Sequence, residues 1–254
     1  LVRFIVGVVG SVAVFFARPG TLRFSRPALL VSRGMFGGLA VLFYFIALAR
    51  ISAGRATLLN SLFPIIAIVI GIVVLRERPT LHLAFAMVAT SAGVLLVLGN
   101  DQLKLELSWG EAAGFGSAVL SAGAVASSRA LRRTTTTTTT TTSTSTTTDG
   151  PANAPTIFFA FCVGGVVVAL PYAFQAWPTA TEPWLYALAS GVIAMGAQML
   201  MTHALGFLTV PEAAVWQQLP PIASYFWAFA LLGEGVSARG GMGVALVVAG
   251  VAYG

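Results

Sequence analysis

Charged residues are scarce in this 254-residue chain, which contains 14 Lys and Arg, 8 Asp and Glu, and two His. Charged residues make up 9% of the sequence, whereas a soluble domain carries about a quarter. The same scarcity leaves no metal cluster, no carboxylate dyad and no catalytic triad, and no HExxH-type helix occurs. The sequence therefore predicts neither an enzyme nor a bound cofactor or metal.

Cysteine is equally rare, because Cys162 stands alone within an apolar run and excludes a disulfide framework. We interpret it as a small residue that faces lipid or another helix. The net charge of +6 and the pI near 10.2 do not indicate nucleic acid. In a membrane protein, Lys and Arg gather in cytoplasmic loops. The expected partners are therefore the lipid bilayer and a small-molecule solute.

Long apolar runs are what the sequence has in abundance, with 57% hydrophobic residues and a mean hydropathy of +0.89. The clearest uncharged runs are Ala56–Leu75, Leu83–Asn100, Ala112–Ser128, Ala152–Thr181 and Ala213–Gly233. A helix crosses a bilayer with roughly 20 apolar residues. The sequence predicts an all-α, multi-pass (polytopic) protein, integral to the plasma or inner membrane.

Nine helical spans are expected, near residues 1–17, 28–49, 55–75, 81–99, 109–130, 155–174, 183–205, 212–232 and 238–254. The first uncharged run, Phe4–Ala17, is short, and the chain starts without Met. We therefore expect one helix or more to be missing at the front and a tail to be missing after Gly254. No cleavable signal peptide is visible.

The chain repeats itself at a shift of 157 positions without a gap. "ALARISAGRATLLNSLFPI" from Ala47 matches "ALGFLTVPEAAVWQQLPPI" from Ala204. The register also pairs Pro64 with Pro221, Glu77 with Glu234, and Gly93 with Gly250. The matched spans 55–75 and 212–232 are five helices apart, and an odd number makes them cross the membrane in opposite directions. This is an inverted-topology repeat, a common build of secondary transporters.

The Lys and Arg residues of the loops support this topology. With the 18–27 loop in the cytoplasm, nine lie on the cytoplasmic side: Arg18, Arg23, Arg26, Arg33, Arg76, Arg78, Arg129, Arg132 and Arg133. Four lie on the other side: Arg50, Arg55, Lys104 and Arg239. An excess of positive residues marks the cytoplasmic side.

The motifs "SAGRA", a mid-helix Pro64, "LRERP" and "AGVLLVL" follow one another in the first copy. The second copy has "VPEAA", Pro221, "LLGE" and "AGV". Over nearly the whole chain this pattern resembles the EamA-type half of the drug/metabolite transporter superfamily. The resemblance implies a carrier of small metabolites, amino acids or drugs with ten helices in two inverted five-helix repeats. Residues 1–100 would form the first repeat, lacking its first helix, and 101–254 the second.

An insert of Thr and Ser, "TTTTTTTTTSTSTTT", fills residues 134–148 within an expected cytoplasmic loop at 131–155. It has no apolar periodicity and is compositionally a disordered linker. We interpret it as a repeat expansion that a surface loop tolerates. A phosphorylation-sensitive tether is the alternative.

Polar residues interrupt the two matched spans near the middle of the bilayer. Pro64 cannot donate to the carbonyl four residues back, which belongs to Asn60. In the second copy Pro221 frees Gln217, and Pro220 frees Trp216. Backbone groups freed in a membrane need protein or a water-filled cavity around them. We predict a midplane substrate site formed by Asn60, Pro64, Tyr44, Gln198, Trp216, Gln217, Gln218 and Pro221. The alternative is that the prolines only kink helices and the amides bond neighbouring helices.

Three further polar positions carry hypotheses of their own. His203 is a candidate for proton coupling, with an interfacial histidine as the alternative. Arg33 is expected to snorkel to the headgroups, and binding of an anionic substrate is the alternative. Glu77 and Glu234 are expected on opposite membrane faces, each fixing the turn after a broken helix.

Small residues spaced four apart predict close helix packing. One such face holds Gly34 and Gly38, and another holds Ala113, Ser117 and Ser121. We attach no chemistry to either.

The sequence favours a secondary transporter that works by alternating access, with proton coupling as an option. A truncated, non-transporting component, either a scaffold or an inactive copy, is the alternative. Uptake or export, and monomer or homodimer, are left open.

Overall fold

The computed structural model describes residues 1–17, 24, 26–98, 108–133, 152–173, 181–232 and 238–253, and in these ranges the regular structure is helical. The helices are α1 Val2–Ala17, α2 Pro27–Arg50, α3 Ala53–Asn60, α4 Phe63–Val73, α5 Leu81–Leu98, α6 Trp109–Arg132, α7 Ala154–Ala173, α8 Thr181–Ala204, α9 Val210–Trp216, α10 Leu219–Leu232 and α11 Ala238–Tyr253. Within the same ranges, four segments are long and apolar enough to cross a membrane: Pro27–Arg50, Arg55–Val73, Ala154–Tyr172 and Pro183–Ala204. The expected all-α polytopic membrane fold is confirmed.

The helices begin and end close to the expected spans, with two informative exceptions. The expected helix 28–49 is observed as Pro27–Arg50, and 81–99 as Leu81–Leu98. The expected span 55–75 is divided into α3 and α4, and the span 212–232 into α9 and α10. The two spans that contain the matched prolines are therefore the ones that are interrupted.

The first half of each interrupted span starts at a hydroxyl cap. The Ser52 side chain accepts a hydrogen bond from the Arg55 N–H at 3.4 Å, and the Thr209 side chain accepts one from the Glu212 N–H at 3.4 Å. The Glu212 carboxylate accepts the Thr209 N–H at 2.7 Å, which completes a capping box. Residues 52 and 209 are 157 positions apart, so the sequence repeat extends to the start of these helices.

The chain packs as two compact units. Unit 1 contains Leu1–Gly38 and Ser127–Phe207, and unit 2 contains Leu39–Ala126 and Leu208–Gly254. Two of the three boundaries fall inside α2 and α6 and the third lies between α8 and α9, because this division follows packing. The two repeats, residues 1–100 and 101–254, follow the sequence instead, and that domain assignment stays a prediction.

Within unit 2, the matched helices α5 and α11 contact each other through paired small residues. A Cβ added to Gly93 would lie 2.7 Å from the Gly243 carbonyl oxygen, and one added to Gly250 would lie 3.0 Å from that of Ala86. Gly93 pairs with Gly250 in the repeat, and Ala86 pairs with Gly243. The repeat therefore maps the contact between Gly93 and Gly243 onto the contact between Gly250 and Ala86, as a pseudo-two-fold axis between the two helices would. Because the residue number rises on one helix as it falls on the other, the copies run antiparallel here, as an inverted repeat requires.

Within unit 1, α2 and α7 approach closely along the face that holds Gly34 and Gly38. A Cβ on Gly34 would lie 2.5 Å from the Ala160 carbonyl oxygen, and one on Gly38 would lie 2.9 Å from that of Gly164. These contacts confirm the close packing predicted for this face. On the same helix α7, Cys162 is 1% exposed and so faces protein rather than lipid.

The two ends of the connection between α6 and α7 meet each other. The Ala152 N–H donates to the Leu131 carbonyl at 2.9 Å, and Arg132 Nη1 donates to the Ala152 carbonyl at 3.3 Å. The loop predicted at 131–155 is thus closed at its base. The Thr and Ser tract, Thr134–Thr148, lies outside the described residues, as does Glu234.

Candidate functional site

The interruption between α3 and α4 is a tight turn. The Ser61 N–H donates to the Thr57 carbonyl at 2.8 Å, and the Leu62 N–H donates to the Leu59 carbonyl at 3.2 Å. The second bond spans three residues, as in a 3₁₀ turn. Pro64 is buried in the first turn of α4, where a helix does not need a backbone donor. The proline therefore starts the second half of the span, and the interruption lies just before it.

The side chain of Asn60 lies at the end of α3, beside α6. The Ser117 Oγ is 3.0 Å from Asn60 Oδ1 and 2.9 Å from the Ala40 carbonyl oxygen. Both partners are acceptors, so the single proton of the Ser117 hydroxyl is shared between the Asn60 side-chain oxygen and the Ala40 carbonyl oxygen. Tyr44 lies nearby in α2, and its hydroxyl is 3.0 Å from Thr57 Oγ1. The small-residue face of α6 thus has a polar role that the sequence did not indicate.

Three polar or aromatic side chains at the interruption between α9 and α10 have three different environments. Gln217 caps α9, and its Nε2 donates to the Ala213 carbonyl at 3.2 Å. Gln218 is 1% exposed, and its Nε2 donates to Ser91 Oγ at 3.3 Å. Trp216, in contrast, is 54% exposed. A buried amide and an exposed indole therefore lie two positions apart at this turn.

The second copy reproduces the backbone of the first interruption. Ser61, after α3, has φ −68° and ψ −2°, and Gln217, after α9, has φ −73° and ψ 0°. α10 begins at Leu219, so Pro220 and half-buried Pro221 lie in its first turn, as Pro64 does in α4. Each repeat thus has a short turn followed by proline, but at the shift of 157 Ser61 corresponds to Gln218, so the second turn begins one position earlier than the first.

Seven of the eight predicted site residues lie in unit 2: Tyr44, Asn60, Pro64, Trp216, Gln217, Gln218 and Pro221. Among the residues that the structure describes, no hydrogen bond joins the α3–α4 group to the α9–α10 group. Asn60 and Gln218 each bond a serine on a neighbouring helix, as the packing alternative expects. The midplane substrate site stays a prediction.

The eighth residue, Gln198, belongs to α8 in unit 1, where its Oε1 accepts a hydrogen bond from Arg33 Nη2 at 3.4 Å. His203 is exposed in the last turn of α8, and its ring centre lies 5.2 Å from that of Phe207. Proton coupling by His203 also stays a prediction.

Arg33 does not snorkel, and this corrects the expectation from the sequence. The side chain is 4% exposed, and its guanidinium carbon lies 4.5 Å from the centre of the Phe161 ring. Its Nε and Nη1 atoms are buried without a hydrogen-bond partner among the described residues. The uncharged run that follows Arg33 suggested a helix end at the headgroups, but α7 and α8 cover this position. Arg33, which is not among the eight predicted site residues, is thus a cation buried between helices.

Glu77 acts at a longer range than the sequence indicated. Arg76 has a φ of 53°, and this turn lets the Glu77 N–H donate to the Gly71 carbonyl at 3.0 Å. The Glu77 carboxylate then accepts the N–H of Val210, the first residue of α9, at 2.8 Å. The backbone N–H of Glu77 closes its own turn, whereas its carboxylate caps the broken helix of the other repeat, so the predicted role of the side chain in the turn stays a prediction.

An ion pair between Arg55 and Glu111 joins α3 to α6 in unit 2. Glu111 also takes part in a reciprocal cap with Ser108, in which each side chain lies 3.3 Å from the other's backbone N–H. The "SWGE" stretch at 108–111 fits the Ser-x-x-Glu capping pattern and could have indicated this helix start. No sequence pattern indicated that Arg55, 56 positions earlier, would form the ion pair with Glu111.

These features define a class of protein, a helical membrane protein in which two spans are each broken just before a proline. A model of the EamA-like transporter family matches residues 1–99 and 150–253. The chain belongs to the EamA-like transporter family, and it is a membrane transporter of small molecules. The resemblance seen in the motifs is confirmed.

Two relatives and one solved structure give this assignment context. Both relatives are named pseudopaline exporter CntI, from Pseudomonas aeruginosa strains UCBPP-PA14 and PAO1. Each is 25% identical over 210 residues, which is 82% of this chain and 67% of the relative. A crystal structure aligns over 99% of this chain and 84% of its own, with a TM-score of 0.76 and 21% identity. That likeness concerns the fold alone.

Proposed function

We propose that this protein is a secondary transporter that moves a small organic metabolite or drug across the membrane by alternating access. The observation that carries the proposal is the pair of interrupted helices, one in each repeat, with the prolines at matched positions and the two turns within one residue of each other in the repeat. Discontinuous helices in inverted repeats surround the substrate sites of many transporters. We infer no enzymatic step.

The two interruptions suit a hinge. Each turn is held by few backbone hydrogen bonds, and the following proline cannot donate another. Small changes of φ and ψ at Ser61 and Gln217 can therefore tilt α4 and α10 without breaking a regular helix. The amides of Asn60, Gln217 and Gln218 would exchange their present partners for polar groups of the solute.

The direction and energy source complete the proposal. The Pseudomonas relatives are named exporters, which favours outward transport across the plasma or inner membrane. His203, which is exposed in the last turn of α8, remains the candidate for carrying a proton.

The test is transport of a metabolite and drug library in proteoliposomes, with and without a pH gradient. Asn60→Leu is compared with Ser117→Ala, which removes the same hydrogen bond and keeps the Asn60 side chain. If Asn60 binds solute, Asn60→Leu lowers transport per folded molecule at least tenfold, whereas Ser117→Ala lowers only stability, by about 1 kcal/mol.

Gln217→Leu, Pro64→Ala and Pro221→Ala extend the test to the second copy and to the hinges. Both prolines lie in the first turn of a helix, where a new N–H has no intrahelical acceptor, and alanine also frees the φ that proline fixes. The alanine variants should therefore lose up to about 1 kcal/mol of stability, and their turnover should change if the two turns act as hinges. If Asn60→Leu and Ser117→Ala lose stability equally and both keep normal specific activity, the amides only pack helices. If the inserted wild-type chain moves no solute in either direction, the chain is a non-transporting component.

A further inference from the structure

Arg33 lies in a pocket that the surrounding residues leave open for its guanidinium group. Gly37 is one turn further along α2, and a Cβ there would lie 2.3 Å from Arg33 Nη1 and 2.4 Å from the Phe161 ring. Phe161 of α7 lies beneath the guanidinium, and Gln198 of α8 contacts it from a third helix. The missing side chain of Gly37 is therefore what makes room for the charge.

No counter-ion accompanies this buried cation within the described part of unit 1. By sequence, unit 1 contains eight arginines and only two acidic residues, Asp149 and Glu182. Neither acidic side chain is among those that the structure describes. By sequence, unit 1 as a whole thus has an excess of positive charge, and a second arginine, Arg3, lines a narrow cleft together with Phe161.

The energetics are unfavourable for a group with a purely structural role. Removing a charged group from water costs more free energy than one weak contact returns. The contact with Phe161 offsets part of this cost, and the bond to Gln198 is long at 3.4 Å. Two buried nitrogen atoms, Nε and Nη1, also lack a hydrogen-bond partner among the described residues, which adds to the cost. Ionisable residues at such positions in membrane proteins generally serve a ligand or an ion.

We propose that Arg33 and Gln198 form a binding site for the carboxylate group of an organic anion, which makes the transported solutes organic anions. This rests on the proposed transport function, because the enclosing helices must open for a solute to reach Arg33. The planar guanidinium matches a carboxylate with two parallel N–H donors. Gln198 accepts from Arg33 through its oxygen, and its amide N–H₂ remains to donate to the same carboxylate. A single guanidinium also balances a single negative charge.

The test uses benzoate as the probe, with benzamide as its neutral match and inorganic phosphate as a competing anion. Thermal unfolding of the purified full chain is measured with each probe at constant ionic strength. Benzoate is expected to raise the unfolding temperature of the wild type, and benzamide is not. Arg33→Gln weakens benzoate binding at least tenfold, and Arg33→Lys, which keeps the charge, weakens it less. Without any probe, Arg33→Gln unfolds at a higher temperature than the wild type, because an unpaired buried charge is gone.

If Arg33→Gln does not fold, Gln198→Leu serves as the second variant and is expected to weaken benzoate binding about tenfold. Equal stabilisation by benzoate and benzamide, no stabilisation by benzoate, or an unchanged benzoate response in the variants overturns the proposal. Stabilisation by phosphate alone also overturns it in favour of a phosphate site. The binding measurement needs no transport, so a chain that binds benzoate through Arg33 but moves no solute refutes only the transport function.

Discussion

Replacement of Glu77 tests whether the two repeats are held together by a carboxylate at the start of α9. The side chain is 9% exposed and accepts the Val210 N–H at 2.8 Å, and Val210 itself is 0% exposed. Glu77→Ala removes the acceptor of the Val210 N–H. Because Val210 is buried, water cannot reach this N–H to accept the hydrogen bond instead. Glu77→Gln keeps an oxygen that can accept the bond and removes the negative charge.

The two changes should cost different amounts. A hydrogen bond to a charged group contributes roughly 1.5–3 kcal/mol, and the loss of its partner leaves the buried N–H unsatisfied. We therefore expect Glu77→Ala to lower the free energy of unfolding by about 3 kcal/mol. Glu77→Gln should cost about 1 kcal/mol, which is the typical value of a negative charge near a helix N-terminus. For a chain of this size each kcal/mol lowers the unfolding temperature by about 2–4 °C.

Unfolding can be followed at two places in the same sample. Cys162 is the sole cysteine and is 1% exposed, so its labelling by a maleimide dye reports global unfolding. Trp216 is on the capped helix α9 and is one of five tryptophans, so in a background with the other four replaced by Phe its fluorescence reports the local change. Arg78→Gln is the matched control, because Arg78 is exposed and adjacent to Glu77.

Either of two results would refute the reasoning. If Glu77→Ala unfolds at the temperature of Arg78→Gln, the carboxylate contributes nothing to the stability of α9. If Glu77→Gln costs as much as Glu77→Ala, the amide oxygen does not replace the carboxylate as acceptor.

Three further predictions concern the loops. Deletion of Thr134–Thr148 should leave insertion and transport unchanged, and it should raise stability by roughly 1–2 kcal/mol through the shorter loop. A large loss of inserted protein would contradict the linker interpretation. In intact cells a membrane-impermeant thiol reagent should label Lys104→Cys and not Arg23→Cys, with buried Cys162 as a silent background, and the opposite pattern would invert the topology. Arg76, with φ 53°, should tolerate glycine with a gain of up to about 1 kcal/mol, whereas Arg76→Val should destabilise. Equal unfolding temperatures for these two variants would show that the positive φ carries no strain.

The helices and their interruptions were predictable because their causes are local in sequence. An uncharged run of bilayer length predicts a helix, and a proline within it predicts a break. The repeat at 157 positions added confirmation, since Pro64 and Pro221 mark the same position in two copies. The structure refined only the location of the break, which precedes the proline, because a helix tolerates proline in its first turn.

The partners of polar side chains were not predictable, because they come from distant parts of the chain. Glu77 bonds a residue 133 positions away. Arg33 at the beginning of an uncharged run looks the same in sequence whether lipid headgroups or another helix cover it. What decides its environment is the glycine at 37 together with Phe161, and no local pattern connects residues on α2 with residues on α7.

The two repeats share the proposed hinges and differ at the position of Arg33, where we propose that the solute binds. The turn, the proline and the amide occur in both copies, and so do the hydroxyl caps of α3 and α9. Arg33, in contrast, corresponds to Ser190, whose hydroxyl is exposed and bonds the Ala187 carbonyl of its own helix at 3.0 Å. In the proposed alternating-access cycle, a symmetric pair of hinges would let the site open to both sides with similar energies, and one asymmetric charge would hold a solute in a single orientation. If Arg33 binds the solute, placing an arginine at Ser190 should not create an equivalent second site, since position 194, which matches Gly37, is alanine.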